Sequence, residues 1–336
     1  MNSAQLLSDK ILQQALKSQA TDIHFYPFTQ NTNIYFRIQG KRILHTTIST
    51  VEYELLLTYY KFTSGMDIGE IRKPQNGTIP YQTNSQDYSL RLSTLPVNQL
   101  ESLAMRILPQ GKHFSLDQLF LFKNQLTKIK QWMNFRAGLI LISGPTGSGK
   151  TTTLYALLEE TLKNGSFQTI TLEDPIEKNI DDILQVQVNE KAGITYQTGL
   201  KAALRHDPDI IMVGEIRDRH TAKFALEASL TGHLVLSTIH AKNTIGTIQR
   251  LLEMGLTRVE LEQSLIGISS IQLIPIISSN ESKRRAALLE ILDGKLLSKA
   301  IQGENINFNH YKHTFFYLKR KAWSYGFISN ETFEKE

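Results

Sequence analysis

A chain of 336 residues exceeds what one hydrophobic core ordinarily organises, so two domains are expected, and its 41% hydrophobic and 21% charged residues exclude a disordered or low-complexity bulk. The formal net charge of +5 is spread along the chain; it permits contact with an anionic membrane face or nucleic acid and requires neither. The absence of cysteine excludes disulfides and thiolate zinc sites, so no zinc site is expected. Met1-Asn2-Ser3-Ala4-Gln5 carries neither the basic nor the apolar region of an export signal, and no apolar run approaches a membrane span. Any membrane association is therefore expected to be peripheral.

Leu7, Ile11, Ala15 and Leu16 recur at helical spacing. Ile34-Tyr35-Phe36-Arg37-Ile38 then reads as a strand ending in the turn Gln39-Gly40-Lys41. Pro74-Gln75-Asn76-Gly77 predicts a tight turn between strands. Tyr88-Ser89-Leu90-Arg91-Leu92-Ser93 alternates at period two, which places Arg91 on the face opposite Leu90 and Leu92. The pattern breaks around Pro109-Gln110-Gly111-Lys112, so residues 1–110 are expected to form a smaller α+β domain and 111–336 a second one. Beyond the break, apolar runs at 139–142, 169–172, 210–213 and 234–238 alternate with helix-length segments, predicting an α/β domain with a mostly parallel sheet covered by helices on both sides.

The first of these runs opens directly into Gly144-Pro145-Thr146-Gly147-Ser148-Gly149-Lys150-Thr151-Thr152. This fits the pattern G-x-x-x-x-G-K-[ST], in which glycines let backbone N–H groups turn inward around phosphate oxygens and the following helix points its positive end at them. Lys150 is expected to reach the β- and γ-phosphates of ATP and the Thr151 hydroxyl to ligate Mg2+. The plain alternative is a flexible Gly/Ser surface loop. In a parallel sheet, ligands sit beyond the carboxyl ends of the strands. The phosphate loop, Glu173-Asp174, Glu215 and His240 all fall there. Glu215 suits the carboxylate that polarises an attacking water, although Gly214 stands where an aspartate often precedes it. Metal contact then leans on Thr151, on Glu173 and Asp174, and on Glu215 through water. Glu173 and Asp174 are open to a second reading as a loop-capping pair, and His240 to a structural one. His233 begins its strand and points to the far sheet edge.

Taken together, Gly144-to-Thr153 with Leu154-Tyr155, Thr171-Leu172-Glu173-Asp174-Pro175, Arg205-His206-Asp207-Pro208-Asp209 through Gly214-Glu215-Ile216-Arg217-Asp218, and Thr231-Gly232-His233 to His240 resemble the Walker A, Asp box, Walker B and His box of the type II/type IV secretion ATPase superfamily. Thr21-Asp22-Ile23-His24, Arg91-Leu92-Ser93-Thr94-Leu95-Pro96 and Met105-Arg106-Ile107-Leu108 are similar to that family's second N-terminal domain, so the likeness runs from about Ala20 to Leu273. The resemblance implies a RecA-like P-loop motor domain behind a smaller PAS-like α+β domain. It also implies a homohexamer that hydrolyses ATP with Mg2+ at subunit interfaces. Arg91 and Arg106 match the arginines this family sends to the nucleotide; as isolated strand residues they would ordinarily read as solubilising groups, so that role rests on the resemblance.

Departures from the family pattern narrow the branch. The four-cysteine zinc knob of the long assembly ATPases and the C-terminal signature of the retraction motors are both absent, and what remains is similar to the competence ATPases of Gram-positive bacteria, which power a pseudopilus for uptake of transforming DNA. Implied partners are a polytopic membrane platform protein of the ComGB type and, indirectly, pilin-like proteins, with the motor on the cytoplasmic face of the membrane and no direct nucleic-acid binding. Alternatives are a motor for type II secretion or for type IV pilus extension or retraction, a nucleotide-gated interaction protein, and a nucleic-acid translocase. Gln75-Asn76-Gly77-Thr78 lacks the arginine that usually closes this motif, and Gln272-Leu273 departs from the usual Gln-Arg-Leu. Near the C-terminus, Phe315, Phe316, Tyr317, Leu318, Trp323, Tyr325 and Phe327 interleave with Lys319, Arg320 and Lys321, which suits either stacking on single-stranded nucleic acid or packing of a terminal helix on its own domain. The runs Lys283-Arg284-Arg285 and Lys319-Arg320-Lys321 read as solvated turns or as a surface toward the anionic inner leaflet.

Overall fold

A computed structural model describes residues 3–38, 40–84, 86–97, 100–109, 116–189, 192–277, 284–304 and 312–334. They fall into two compact units, Met1–Lys112 and His113–Glu336. The first contains α1 (Ser3–Lys17), β1 (Asp22–Pro27), β2 (Asn31–Ile38), β3 (Lys41–Ser49), α2 (Thr50–Thr63), β4 (Gln75–Gln82), β5 (Asp87–Val97) and β6 (Leu100–Pro109). Among the described residues the strands form a six-stranded antiparallel sheet in the order β3-β2-β1-β6-β5-β4. Alternation sorts the two faces. Ile23, Phe25, Ile34, Phe36, Leu90, Leu92, Met105 and Ile107 pack against Ile11, Leu12 and Ala15 of α1 and Tyr53, Leu56 and Tyr60 of α2. The residues between them, including Arg91 and Arg106, lie on the other face.

The turn expected at Pro74-Gln75-Asn76-Gly77 is not one. Gln75, Asn76 and Gly77 already pair with Thr94, Ser93 and Leu92 as the start of β4. The chain reverses earlier, and Gln75 closes that preceding segment: its side chain accepts from the Asp67 N–H at 2.8 Å and donates to the carbonyls of Asp67 at 2.9 Å and Glu70 at 3.0 Å. Gly77 serves close approach, since a Cβ there would lie 2.6 Å from that of Ser64.

The second unit runs α3 (Leu116–Leu119), α4 (Lys123–Trp132), β7 (Gly138–Ser143), α5 (Lys150–Asn164), β8 (Thr169–Glu173), β9 (Leu184–Gln187), α6 (Tyr196–Ala203), β10 (Ile210–Ile216), α7 (Arg219–Leu230), β11 (Leu234–Ile239), α8 (Thr244–Glu253), α9 (Arg258–Ser264), β12 (Leu265–Ile276), β13 (Arg284–Asp293), α10 (Gly294–Gln302), α11 (Phe315–Ser324) and α12 (Asn330–Glu334). Among the described residues its seven strands are ordered β13-β12-β7-β11-β10-β8-β9, all neighbours parallel except β12 and β13. Every residue of β7 is buried, because both sheet faces are covered. Ile140 and Ile142 meet Leu126 and Ile129 of α4 and Leu154, Leu157 and Leu158 of α5. Leu139 and Leu141 point to the other side, toward Ala222, Ala225 and Leu226 of α7 and Ile248 and Leu251 of α8.

Neither basic run with described residues is a turn. Arg284 and Arg285 begin β13, opposite Ile276 and Pro275, and Lys283 lies outside the described residues. Lys319, Arg320 and Lys321 belong to α11, whose N-terminus is capped by the Thr314 side chain accepting from the Tyr317 N–H. The terminal aromatics divide: Leu318, Ala322 and Ile328 bury against Phe122, Ile274 and Leu288, with Phe315 partly buried, whereas Phe316, Trp323, Tyr325 and Phe327 stay exposed.

Candidate functional site

β7 leads from the core into the phosphate loop, which needs backbone conformations ordinary residues avoid: φ is +149° at Gly144, +76° at Gly147 and +95° at Gly149. Gly149 is also the N-cap of α5, so the first N–H groups of that helix open toward the loop. Gly144 is confined further. A Cβ there would sit 2.6 Å from the Ile271 carbonyl oxygen of β12 and from the Ser148 hydroxyl. Lys150 is buried and donates to the carbonyls of Gly144 at 3.0 Å and Pro145 at 3.1 Å. Burial lowers its pKa, and the charges of Glu215 and Glu177 oppose that shift. The Ser148 hydroxyl is buried with no hydrogen-bond partner among the described residues. Pro145, Thr146 and Gly147 are exposed at the loop tip, with Thr151 half-buried and Thr152 exposed in the first turn of α5. A concave backbone with an idle buried hydroxyl and a neighbouring ammonium suits a polyphosphate.

The next strand but one supplies Glu215. β10 is irregular between Val213 and Ile216, and two hydroxyls of β11 hold that irregularity: Ser237 donates to the Val213 carbonyl and Thr238 to the Gly214 carbonyl, both at 2.7 Å. Such bulges re-aim side chains. Here Glu215 lies between two cationic or polar partners, with Arg217 Nε donating to Oε2 at 2.8 Å and His240 Nε2 lying 2.9 Å from Oε1. Arg217 also donates to Asp174 Oδ2 at 3.2 Å. Asp174, Arg217, Glu215 and His240 thus form one chain across the ends of β8, β10 and β11, and the Glu215 charge is felt at Lys150. Gly214 is crowded by β8; a Cβ there would stand 3.2 Å from the Leu172 carbonyl oxygen, which is a physical reason for the missing aspartate.

Glu173 reaches the same sheet edge and is buried in a different environment. Its Oε1 accepts from Thr171 at 2.6 Å and Gln185 at 3.1 Å, and its Oε2 from the Tyr155 hydroxyl. Burial and the Glu173 charge together push the Tyr155 phenol pKa up, so it remains a donor. His233 stands at the opposite strand end, its Nδ1 3.2 Å from the Ala228 carbonyl oxygen. Among the described residues no group of three or more His, Asp or Glu side chains is arranged to hold a metal ion.

Arg91 and Arg106 belong to the first unit, where β5 and β6 make them direct cross-strand neighbours on the face away from the core. Arg106 Nε donates to Asp22 Oδ1 at 2.8 Å. Burial acts to raise the Asp22 pKa, but hydrogen bonds from Arg106 and Thr21 outweigh it and hold the carboxyl below its ordinary range.

Arg217, Tyr155 and Gln185 are site residues to which sequence reasoning assigned no role of their own, although Tyr155 and Arg217 stand inside the motifs that carry the family resemblance. For Arg217 a signal existed: it stands two positions beyond Glu215, just past the end of β10, within Gly214-Glu215-Ile216-Arg217-Asp218. Gln185 sits on β9, which no sequence run announced.

Residues 2–313 match the family described as type II/IV secretion system protein. The chain is 39% identical over 349 aligned positions to the competence protein ComGA of Bacillus subtilis (strain 168), covering 100% of this chain and 98% of that protein. It is 43% identical over 316 positions to the competence protein ComGA of Halalkalibacterium halodurans, covering 90% and 91% respectively. Among solved structures, the fold is similar to the pilus retraction motor PilT with bound ADP, with a TM-score of 0.78 and 25% identity over 97% of this chain and 95% of that one.

Proposed function

The chain belongs to the type II/IV secretion system protein family, and from that premise we propose that it is a P-loop ATPase that powers assembly of a competence pseudopilus for uptake of transforming DNA. The observation that carries the chemistry is the convergence of a glycine-built phosphate cradle and a carboxylate chain at the carboxyl ends of parallel strands.

In this reading the N–H groups of residues 146–151 and the Lys150 ammonium hold the phosphates of ATP, Lys150 exchanging its carbonyl partners for phosphate oxygens. Glu215 polarises the attacking water. Both of its oxygens are engaged, so one must be released; His240 turning its Nε2 toward the terminal phosphate frees Oε1 to accept from water, while Arg217 keeps Oε2 in place. Thr151 would hold Mg2+, with Asp174 and Glu215 contributing through water, and the ion when bound neutralises charge on the phosphates. Glu173, its oxygens already taken, supports the site by fixing Tyr155 and Gln185.

The two units are assigned the roles of a smaller N-terminal domain and a motor domain. Arg91 and Arg106 lend guanidinium charge to the transition state, an effect that elsewhere contributes a factor of roughly 10³ to 10⁵. The working form is a homohexamer at the cytoplasmic face of the membrane. It drives a polytopic platform protein and through it pilin-like proteins, without gripping DNA itself. Replacing Lys150 by Ala in the cell tests the whole chain of reasoning: transformation should vanish while the protein accumulates normally. Normal transformation by that strain would contradict a motor role.

A further inference from the structure

Tyr196 stands beside the carboxylate chain and has no part in the chemistry described so far. It is the first residue of α6, whose N-terminus is fixed by reciprocal bonds: the Thr195 side chain accepts from the Thr198 N–H at 3.1 Å, and the Thr198 hydroxyl accepts from the Thr195 N–H at 2.8 Å. Gly199, three residues on and on the same helix face, lets α6 lie close against β8; a Cβ there would stand 2.7 Å from Leu172 Cδ2. The Tyr196 ring packs, partly buried, on the cluster that contains Leu172, Leu200 and Val213. Its hydroxyl lies 3.6 Å from the point where a Cβ on Gly214 would stand, a point also 3.4 Å from Glu173 Cα. The hydroxyl therefore sits between the end of β8 and the irregular stretch of β10, the gap that Arg217 spans from Glu215 to Asp174.

We propose that Tyr196 is a positioning residue for the hydrolysis: during turnover its phenol donates to the Asp174 carboxylate and so steadies the far end of the Arg217 bridge that aims Glu215. Among the described residues the hydroxyl makes no hydrogen bond, although charged groups surround it. Burial and then the Asp174 charge push its pKa up, with Arg217 opposing and Glu215 and Glu173 adding to the rise, so the phenol keeps its proton and stands as a donor among acceptors. The chain also needs an anchor at this end. Glu215 is held on both oxygens, by Arg217 and His240, and its side chain is 17% exposed. At the other end Arg217 and Asp174 are 56% and 46% exposed, so water competes for their bond and salt screens it. A neutral donor on a packed ring escapes that screening and leaves Arg217 free to follow Glu215. The inference concerns the same site as the ATPase reading and rests on it.

Tyr196→Phe removes the hydroxyl and leaves the packed ring, which makes the test direct. In the full-length protein kcat should fall roughly three- to tenfold, while KM, the affinity for a fluorescent ATP analogue and the urea unfolding midpoint keep their parental values. Asp174→Ala removes the acceptor, so adding Tyr196→Phe to it should lower kcat by less than about twofold further, measured under single turnover. An unchanged kcat in Tyr196→Phe, or the same loss with and without Asp174, overturns the proposal. A fall in kcat matched by a fall in unfolding midpoint or nucleotide affinity also overturns it, because it marks a packing role. A parent protein that binds the analogue and does not hydrolyse ATP would overturn the ATPase reading itself and this proposal with it, a failure distinct from a working parent whose Tyr196→Phe variant is unaltered.

Discussion

The phosphate loop and the Glu215 chain sit at the same end of one sheet and are built in opposite ways. The loop is contiguous and made mainly of backbone: its shape comes from three glycines at positive φ, and apart from the Lys150 ammonium its donors are N–H groups that side-chain changes other than proline leave in place. The Glu215 chain is assembled from side chains at the ends of three strands, and its geometry depends on hydroxyls that pin a bulge and on Arg217, which bridges two carboxylates. The loop should therefore fail when its shape changes and tolerate changes of charge nearby. The chain should fail when a charge is removed, with nucleotide still bound.

The sharpest way to break the loop is Gly144→Ala. The added Cβ collides with the Ile271 backbone oxygen, which cannot swing away, and ATP affinity should fall on the order of 10²-fold or more by fluorescent-nucleotide titration. On the other side of the comparison, Arg217→Ala should lower kcat by roughly 10- to 10²-fold with KM little changed, because Glu215 loses its fixed orientation while the cradle is untouched. Tyr155→Phe removes a donor from a buried carboxylate and should cost about 1–3 kcal/mol in urea unfolding, a stability loss with a smaller effect on turnover. Gly147→Ala is the mildest: the position has φ +76° but nothing within 4 Å of an added Cβ, so only backbone strain of roughly 1–2 kcal/mol is expected. Equal damage from the substitutions at 144 and 147 would show that φ alone, and not crowding by β12, shapes the loop.

The same contrast explains what was readable from the amino acids. Gly144 through Thr152 and the four runs ending at Ile142, Leu172, Val213 and Thr238 are local patterns, and they predicted the cradle, the parallel sheet and the sheet edge. Side-chain partnerships are not local. Nothing in Ser237 or Thr238 announces that their hydroxyls hold the carbonyls of Val213 and Gly214, since that depends on which strand lies beside β10. β9 is four residues, none of them fully buried, and too short to stand out, while β12 carries Ser269 and Ser270 in mid-strand, which interrupts its apolar pattern although both are buried. Gln75-Asn76-Gly77 has turn chemistry, yet the glycine there answers to the proximity of Ser64, a contact between residues thirteen apart.

Parallel titration of nucleotide binding and steady-state hydrolysis in Glu215→Gln tests the central claim most directly. The cradle and Lys150 are unchanged in that protein, so ATP should bind within a few-fold of the parent, while turnover should drop by a factor of roughly 10² to 10⁴. Hydrolysis at the parental rate would remove Glu215 from the chemistry, and loss of binding alongside turnover would contradict the separation of a backbone-built grip from a side-chain-built catalyst.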